Sequence, residues 1–146
     1  LYPAENDQHM IDVHSNVMSQ PNGSVWVEDS LNENRIFSGR LTYDKGAAII
    51  HTFRFLMNDD VSFFNALKNI QTDFTDGTAL GVDIRDYFEA ASGVNFDAAF
   101  NEWYFGEGYP IYTVKLAGSQ PNYSVEISQI TSHSSVDFYG ASCHWF

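Results

Sequence analysis

Apolar positions change their period twice along this chain. Residues 1 to about 39 are polar and rich in turn formers. Ser19-Gln20-Pro21-Asn22-Gly23-Ser24 reads as a loop, Ser24-Val25-Trp26-Val27 as one brief strand, and Asp29 to Asn34 as a polar loop. Nothing in this zone makes a core alone, so an irregular arm packed on the following residues is expected. From residue 40 to about 106 the spacing is helical. Ala47, Ala48, Ile49, Ile50, Phe53, Leu56 and Met57 are apolar nearly all round, the pattern of a buried helix. Asn58-Asp59-Asp60 breaks it and can cap the next helix, where Val61, Phe64, Leu67 and Ile70 share one face. Thr75-Asp76-Gly77-Thr78 is a turn. A third helix fits residues 82–92 with Ile84, Tyr87, Phe88 and Ala91, and Gly93 suits a left-handed stop. Asn95 can cap a fourth helix carrying Phe96, Ala99, Phe100 and Trp103, which Gly106 and Gly108-Tyr109-Pro110 end.

Beyond residue 110 the period drops to two. Tyr112, Val114 and Leu116 alternate with Ile111, Thr113 and Lys115, and Tyr123, Val125 and Ile127 alternate with Ser124, Glu126 and Ser128. Ala117 to Asn122 forms the loop between these strands, and Val136 to Tyr139 suits a third. The expected fold is mainly α, about four helices with a short antiparallel β segment. The segment looks like the opening of a sandwich cut short, since two or three strands need something to pack on. Three zones follow: an irregular arm over residues 1–39, a helical body over 40–110, and a β start over 111–146.

Composition narrows the function. The chain has 146 residues, of which 44% are hydrophobic and 16% aromatic, enough for a real core in one domain. Nineteen acidic residues against seven basic ones give a net charge of −12. Phosphate backbones would repel such a chain, so nucleic acid is excluded as a main partner, and anionic membrane surfaces are disfavoured. No apolar run reaches the length of a membrane span. The single cysteine, Cys143, excludes an internal disulfide framework and a Cys-rich zinc module. The chain opens on Leu1 and closes on the apolar Cys143-His144-Trp145-Phe146, as expected of a piece of a larger protein.

Most candidate chemistry is weak. His9 and His14 are five apart, which a helix does not place on one face, and His133, Cys143 and His144 are three scattered ligands. Loop histidines without a metal are the expectation. Asp73-Phe74-Thr75-Asp76-Gly77 lacks the alternating oxygens and distal Glu of a calcium loop and reads as a turn. Asp59 with Asp60, and Asp83 with Asp86, are expected to be solvated caps rather than acid/base pairs. Cys143 lacks a recognisable neighbouring base. Tyr43 stands out by context: it opens the most apolar helix, where its hydroxyl could donate to a developing oxyanion. By spacing alone it is more simply a buried tyrosine with a satisfied hydroxyl.

The stretch Ser38-Gly39-Arg40-Leu41-Thr42-Tyr43-Asp44-Lys45-Gly46-Ala47 resembles the Tyr-x-Lys-Gly segment of the aminopeptidase N-like zinc metallopeptidases, the gluzincins that include relatives of leukotriene hydrolase. The likeness continues through His51-Thr52-Phe53-Arg54, Phe63-Phe64 with Leu67, Asp83 with Glu89, and Ser92-Gly93 with Phe96. It ends at Trp103-Tyr104-Phe105-Gly106-Glu107-Gly108-Tyr109-Pro110, similar to that family's exit from its helical domain, and runs over residues 24–139. The resemblance implies a hydrolase that removes N-terminal residues from peptides, of the secreted or periplasmic bacterial kind. It implies that Tyr43 matches the family's oxyanion-stabilising tyrosine. It places the zinc motif H-E-x-x-H, its downstream Glu and the Gly-x-Met-x-Asn strand before Leu1. The chain would then hold the second half of a catalytic domain and the front of the next. It would bind no zinc in the family manner and be inactive alone. Apolar surface bared by the truncation would invite self-association. The alternative is a non-catalytic binding or scaffold module of a degenerate peptidase, meeting a polymer or protein through Trp26, Trp103, Tyr104 and Tyr109.

Overall fold

A computed structural model describes residues 3–133. Helix α1 (Pro3–Val17) is followed by an extended strap and a short α2 (Glu33–Ile36). A π-helical turn (Gly39–Lys45) runs directly into α3 (Gly46–Met57). Then come α4 (Asp60–Asp73), α5 (Gly81–Ser92), α6 (Asp97–Phe100) continued by a second π-helical turn (Asn101–Phe105), and a hairpin of β1 (Pro110–Ser119) and β2 (Asn122–Thr131). The fold is mainly α with a small antiparallel β segment, as the periodicity predicts.

The core is a stack of phenylalanines. Phe53 of α3 lies edge-on to Phe88 of α5 at 5.9 Å and against Phe96 at 4.7 Å, while Phe63 of α4 stacks on Phe88 at 5.3 Å. Phe53, Phe88 and Phe96 are almost fully buried. Such ring pairs add roughly 0.5–1.5 kcal/mol each beyond the area they bury. The helix boundaries follow local chemistry. Asp59 accepts from the backbone N–H groups of Val61 (3.0 Å) and Ser62 (3.3 Å), capping α4. Asn58 (φ 48°) closes α3 and Gly93 (φ 70°) closes α5, both left-handed.

Five expectations are corrected. The arm is not irregular throughout, because residues 3–17 form α1, whose Val13 and Val17 are buried. Two buried valines four apart suffice to seat an otherwise polar helix, a signal too sparse to read as periodicity. Residues 24–27 form no strand, because the N–H groups of Val25 and Trp26 both donate to the Tyr104 carbonyl (3.2 and 3.1 Å) rather than to a ladder. Part of the expected loop at 29–34 belongs to α2, whose first turn the Asn32 side chain caps. In α4 the period is right and the phase is not. Phe63, Ala66 and Ile70 are buried, whereas Val61 and Phe64 are exposed. Small Ala66 admits close approach on the face where Phe63 meets Phe88, and Phe64 lies beneath the Arg54 guanidinium at 5.1 Å. The apolar girth of α3 is likewise only partly used, with Ile49, Phe53 and Met57 buried and Phe55 exposed.

In the hairpin Val114 pairs with Ile127 and Leu116 with Val125, so Tyr112, Val114, Leu116, Tyr123, Val125 and Ile127 share one face. All six are exposed among the described residues. The expected third strand at 136–139 lies outside the described residues. Replacing Phe53 with Ala should cost about 3–5 kcal/mol, because it removes the ring that Phe88, Phe96 and Phe100 share. Urea unfolding of the variant beside the parent chain measures the loss.

Candidate functional site

The turn that carries Tyr43 is set by its neighbours on both sides. Ser38 caps it, its hydroxyl accepting from the Leu41 N–H at 3.3 Å. Leu41 and Lys45, four apart, are its buried residues. A residue midway between two inward positions points outward on a helical turn, and Tyr43 is 57% exposed. It is therefore not the buried tyrosine that spacing alone suggests. Asp44 holds the turn to α1 by accepting from the Asn16 side-chain amide at 2.6 Å.

Three cations beneath this turn gather a strap of chain. Lys45, 2% exposed, donates from Nζ to the carbonyls of Gly23 (2.8 Å) and Gly106 (3.0 Å). One guanidinium nitrogen of Arg40 donates to the carbonyls of Val17 (3.3 Å), Gln20 (3.4 Å) and Asn22 (3.0 Å). Arg35 donates to the carbonyls of Ser24, Val25 and Trp26 and to the Thr42 hydroxyl. Hydroxyls complete the set: Tyr109 donates to the Met18 carbonyl (3.1 Å) and Ser132 to that of Pro21 (2.8 Å). Burial, and then the Arg40 charge, bring the Lys45 pKa down to about 8, with Glu107 opposing them. Glu107 also accepts from the Gly23 N–H at 3.1 Å.

Two glycines make this closeness possible. Gly23 is left-handed (φ +96°), and a Cβ there would lie 2.7 Å from the Leu41 side chain. Gly108 (φ +83°) passes so close to the hairpin base that a Cβ would lie 2.6 Å from the Ser132 hydroxyl and 3.0 Å from the Pro21 carbonyl.

A cleft of about 370 Å³ opens beside the strap, lined by Trp26, Glu28, Asp29, Arg35, Phe105 and Glu107 together with Gly23 and Ser24. Trp26 meets Phe105 edge-on at 6.0 Å. Tyr43 is not part of this lining. Of Trp26, Trp103, Tyr104 and Tyr109, Trp26 alone lines the cleft; Tyr104 stacks on Phe100 at 4.4 Å and Tyr109 donates to the Met18 carbonyl.

The remaining candidates resolve into structural roles. Asp60 takes a two-pronged ion pair from Arg54 at 2.7 and 2.8 Å, which holds its carboxyl below the usual range, and the Ser62 hydroxyl does the same for Asp59. Asp83 accepts from the Leu80 N–H at 2.7 Å, and Asp86 pairs with Arg85 at 2.6 Å. Asp73 accepts from the Tyr87 hydroxyl at 2.6 Å, and Gly77 closes a turn onto the Phe74 carbonyl at 3.0 Å. His9 and His14 are exposed on α1. Cys143 and His144 lie outside the described residues. Among the described residues no three His, Cys, Asp or Glu side chains come together as a metal ligand set. Among the described residues no helix is long and apolar enough to cross a membrane.

The stretch that carries the resemblance includes Arg40 and Lys45, but the resemblance gives a role to Tyr43 alone. The even spacing of the three cations at 35, 40 and 45 in a chain with only seven basic residues is the available signal. No protein family matches the chain, and no curated protein matches it.

Replacing Arg35 with Ala should destabilise the chain by about 1–3 kcal/mol, since a charged donor leaves several carbonyls at once. Replacing exposed Lys68 with Ala should stay within about 0.5 kcal/mol. Thermal unfolding of the two variants side by side checks the contrast.

Proposed function

We propose that this chain is the tyrosine-bearing part of a zinc-dependent aminopeptidase whose metal ligands belong to a longer parent protein. The observation that carries the reading is Tyr43, an exposed phenol on a turn anchored from below by buried Lys45. A phenol held in this way meets the two needs of an oxyanion donor. It faces outward toward a substrate, and its backbone is fixed before the charge develops. During attack on a peptide carbonyl the Tyr43 hydroxyl would donate to the oxygen as it gains negative charge. Zinc, held by the parent's own residues, would supply the polarisation of water and carbonyl. The isolated chain would then be inactive. The bare apolar face of the hairpin supports the further proposal that a missing neighbour, or a second copy in its absence, covers it.

A second reading rests on the cleft between Trp26 and Phe105. A binding module would use that aromatic, acidic groove and leave Tyr43 idle. The two readings separate experimentally. In the full-length parent, Tyr43→Phe should lower kcat about 100- to 1,000-fold with KM little changed. Unfolding should be unaffected, because the hydroxyl is at the surface. Unchanged kcat in that variant sinks the catalytic reading. Loss of ligand binding on Trp26→Ala would then favour the module.

A further inference from the structure

The cleft beside the strap has walls that are fixed before any ligand arrives. Trp26 is held at both ends of its peptide unit. Its N–H donates to the Tyr104 carbonyl at 3.1 Å, and its own carbonyl accepts from Arg35 at 2.9 Å and from the Ser24 hydroxyl at 3.1 Å. Tyr104 and Phe105 both belong to the second π-helical turn, so the bond that pins Trp26 also sets it beside Phe105. The two ring planes meet at 61° with their centroids 6.0 Å apart. The cleft therefore has two aromatic walls at an angle rather than one flat surface. Trp26 is 42% exposed and Phe105 40%, so each ring keeps free surface for a ligand. A preformed site of this kind spares the ligand the entropy of ordering its walls.

The rest of the lining is acidic. Glu28, Asp29 and Glu107 all face this space. Glu107 is partly engaged, since it accepts from the Gly23 N–H at 3.1 Å and lies near the Lys45 charge. Asp29 gives one carboxylate oxygen to the Leu31 N–H at 2.9 Å. Glu28 enters no ion pair among the described residues. Arg35 is the one cation of the lining, and its guanidinium is committed to the carbonyls of Ser24, Val25 and Trp26 and to the Thr42 hydroxyl. Three carboxylates against one committed cation leave the cleft negative, and the net charge of −12 adds to this at longer range.

Both kinds of wall favour the same ligand. An aromatic face is the negative part of its ring and attracts a cation, as a carboxylate does. A planar guanidinium can stack on an indole while its N–H groups reach a carboxylate beside it. About 370 Å³ is at the small end for a ligand site, room for one side chain rather than a length of polymer. We infer that the cleft binds an arginine side chain presented by a peptide, with Trp26 and Phe105 against the guanidinium and Glu28 as its free counter-charge. This names the ligand of the groove on which the second reading above rests, and it requires nothing of Tyr43.

The test uses the 146-residue chain and two blocked amino acids of nearly the same shape, N-acetyl-arginine amide and its neutral counterpart N-acetyl-citrulline amide. The readout is the Trp26 indole N–H signal in ¹⁵N-labelled protein. The arginine compound should shift it saturably, and the citrulline compound should bind at least about tenfold more weakly. Glu28→Gln, an exposed position where folding is not at stake, should weaken the arginine compound about three- to fivefold. Glu126→Gln removes the same charge from the distant hairpin and should change affinity less than about twofold. An equal fall in both variants overturns the inference, because the cation would then be following net charge alone. Equal binding of the two compounds also overturns it, while keeping the groove as a site for a neutral ligand. If neither compound moves the Trp26 signal, the arginine assignment is wrong, and the groove reading then stands or falls on its own Trp26→Ala test.

Discussion

Carbonyl oxygens drawn onto buried and half-buried cations organise this molecule. The strap between α1 and α2 has no ladder or helix to satisfy its backbone. Yet its carbonyls at Gln20, Asn22, Gly23, Ser24, Val25 and Trp26, with that of Val17 at the end of α1, all accept from Arg35, Arg40 or Lys45. A guanidinium is suited to this work because its planar fork carries several donors at fixed angles. The strap thereby becomes the junction of the fold. α1 enters it, the Tyr43 turn lies over it, and the helix exit at Gly106 and the hairpin base at Ser132 are both tied to it. Three of the seven basic residues of a chain with net charge −12 are spent at this one junction.

The aromatic core is a separate source of order and obeys simpler rules. Phe53, Phe63, Phe88 and Phe96 come from three helices and the α5–α6 link, and their ring contacts fix how those elements cross. This part was legible because burial leaves a helical period in the sequence, and Asp59 and Gly93 mark the ends chemically. Phase was harder to read than period. Along α4 both Val61–Phe64 and Phe63–Ala66–Ile70 are apolar at helical spacing, and the choice between them is made by Phe88 of a later helix. The hairpin was legible for the opposite reason. Its alternation is strong even though its apolar face is bare, since period-two spacing is written into the strand whether or not a partner sheet is present.

The candidate site was legible in part, and the boundary has a physical cause. Tyr43 could be singled out by resemblance, while its exposure depends on which neighbours turn inward. Leu41 inward is ordinary. Lys45 inward is contrary to the usual exposure of lysine, and no composition or period argument predicts it. The acceptors that make it tolerable come from Gly23 and Gly106, 22 and 61 residues away. A local reading cannot see carbonyls that arrive from such distances. The same applies to Gly108, whose left-handed turn makes sense only once Ser132 and Pro21 are known to press against it.

The presence of a lysine rather than an apolar residue beneath Tyr43 calls for an energetic reason. A leucine or methionine would fill the space without a desolvation cost, but it would take the Lys45 donor from the Gly106 carbonyl and leave the Gly23 carbonyl with the longer bond from the Gly108 N–H at 3.4 Å. An arginine would bring a permanent charge beside Arg40 and Arg35. A lysine can satisfy both carbonyls with a charge that is not permanent, since burial first and then the Arg40 charge bring its pKa down to about 8. Its cost is therefore conditional on pH, where that of arginine is fixed. Among the described residues Lys45 is the one buried charged side chain, and it joins the two segments that carry these carbonyls. The same bond that closes the strap onto the helix exit fixes the rotation of the turn above it. Fold closure and the outward aim of Tyr43 are thus one constraint seen from two sides of a single helical turn.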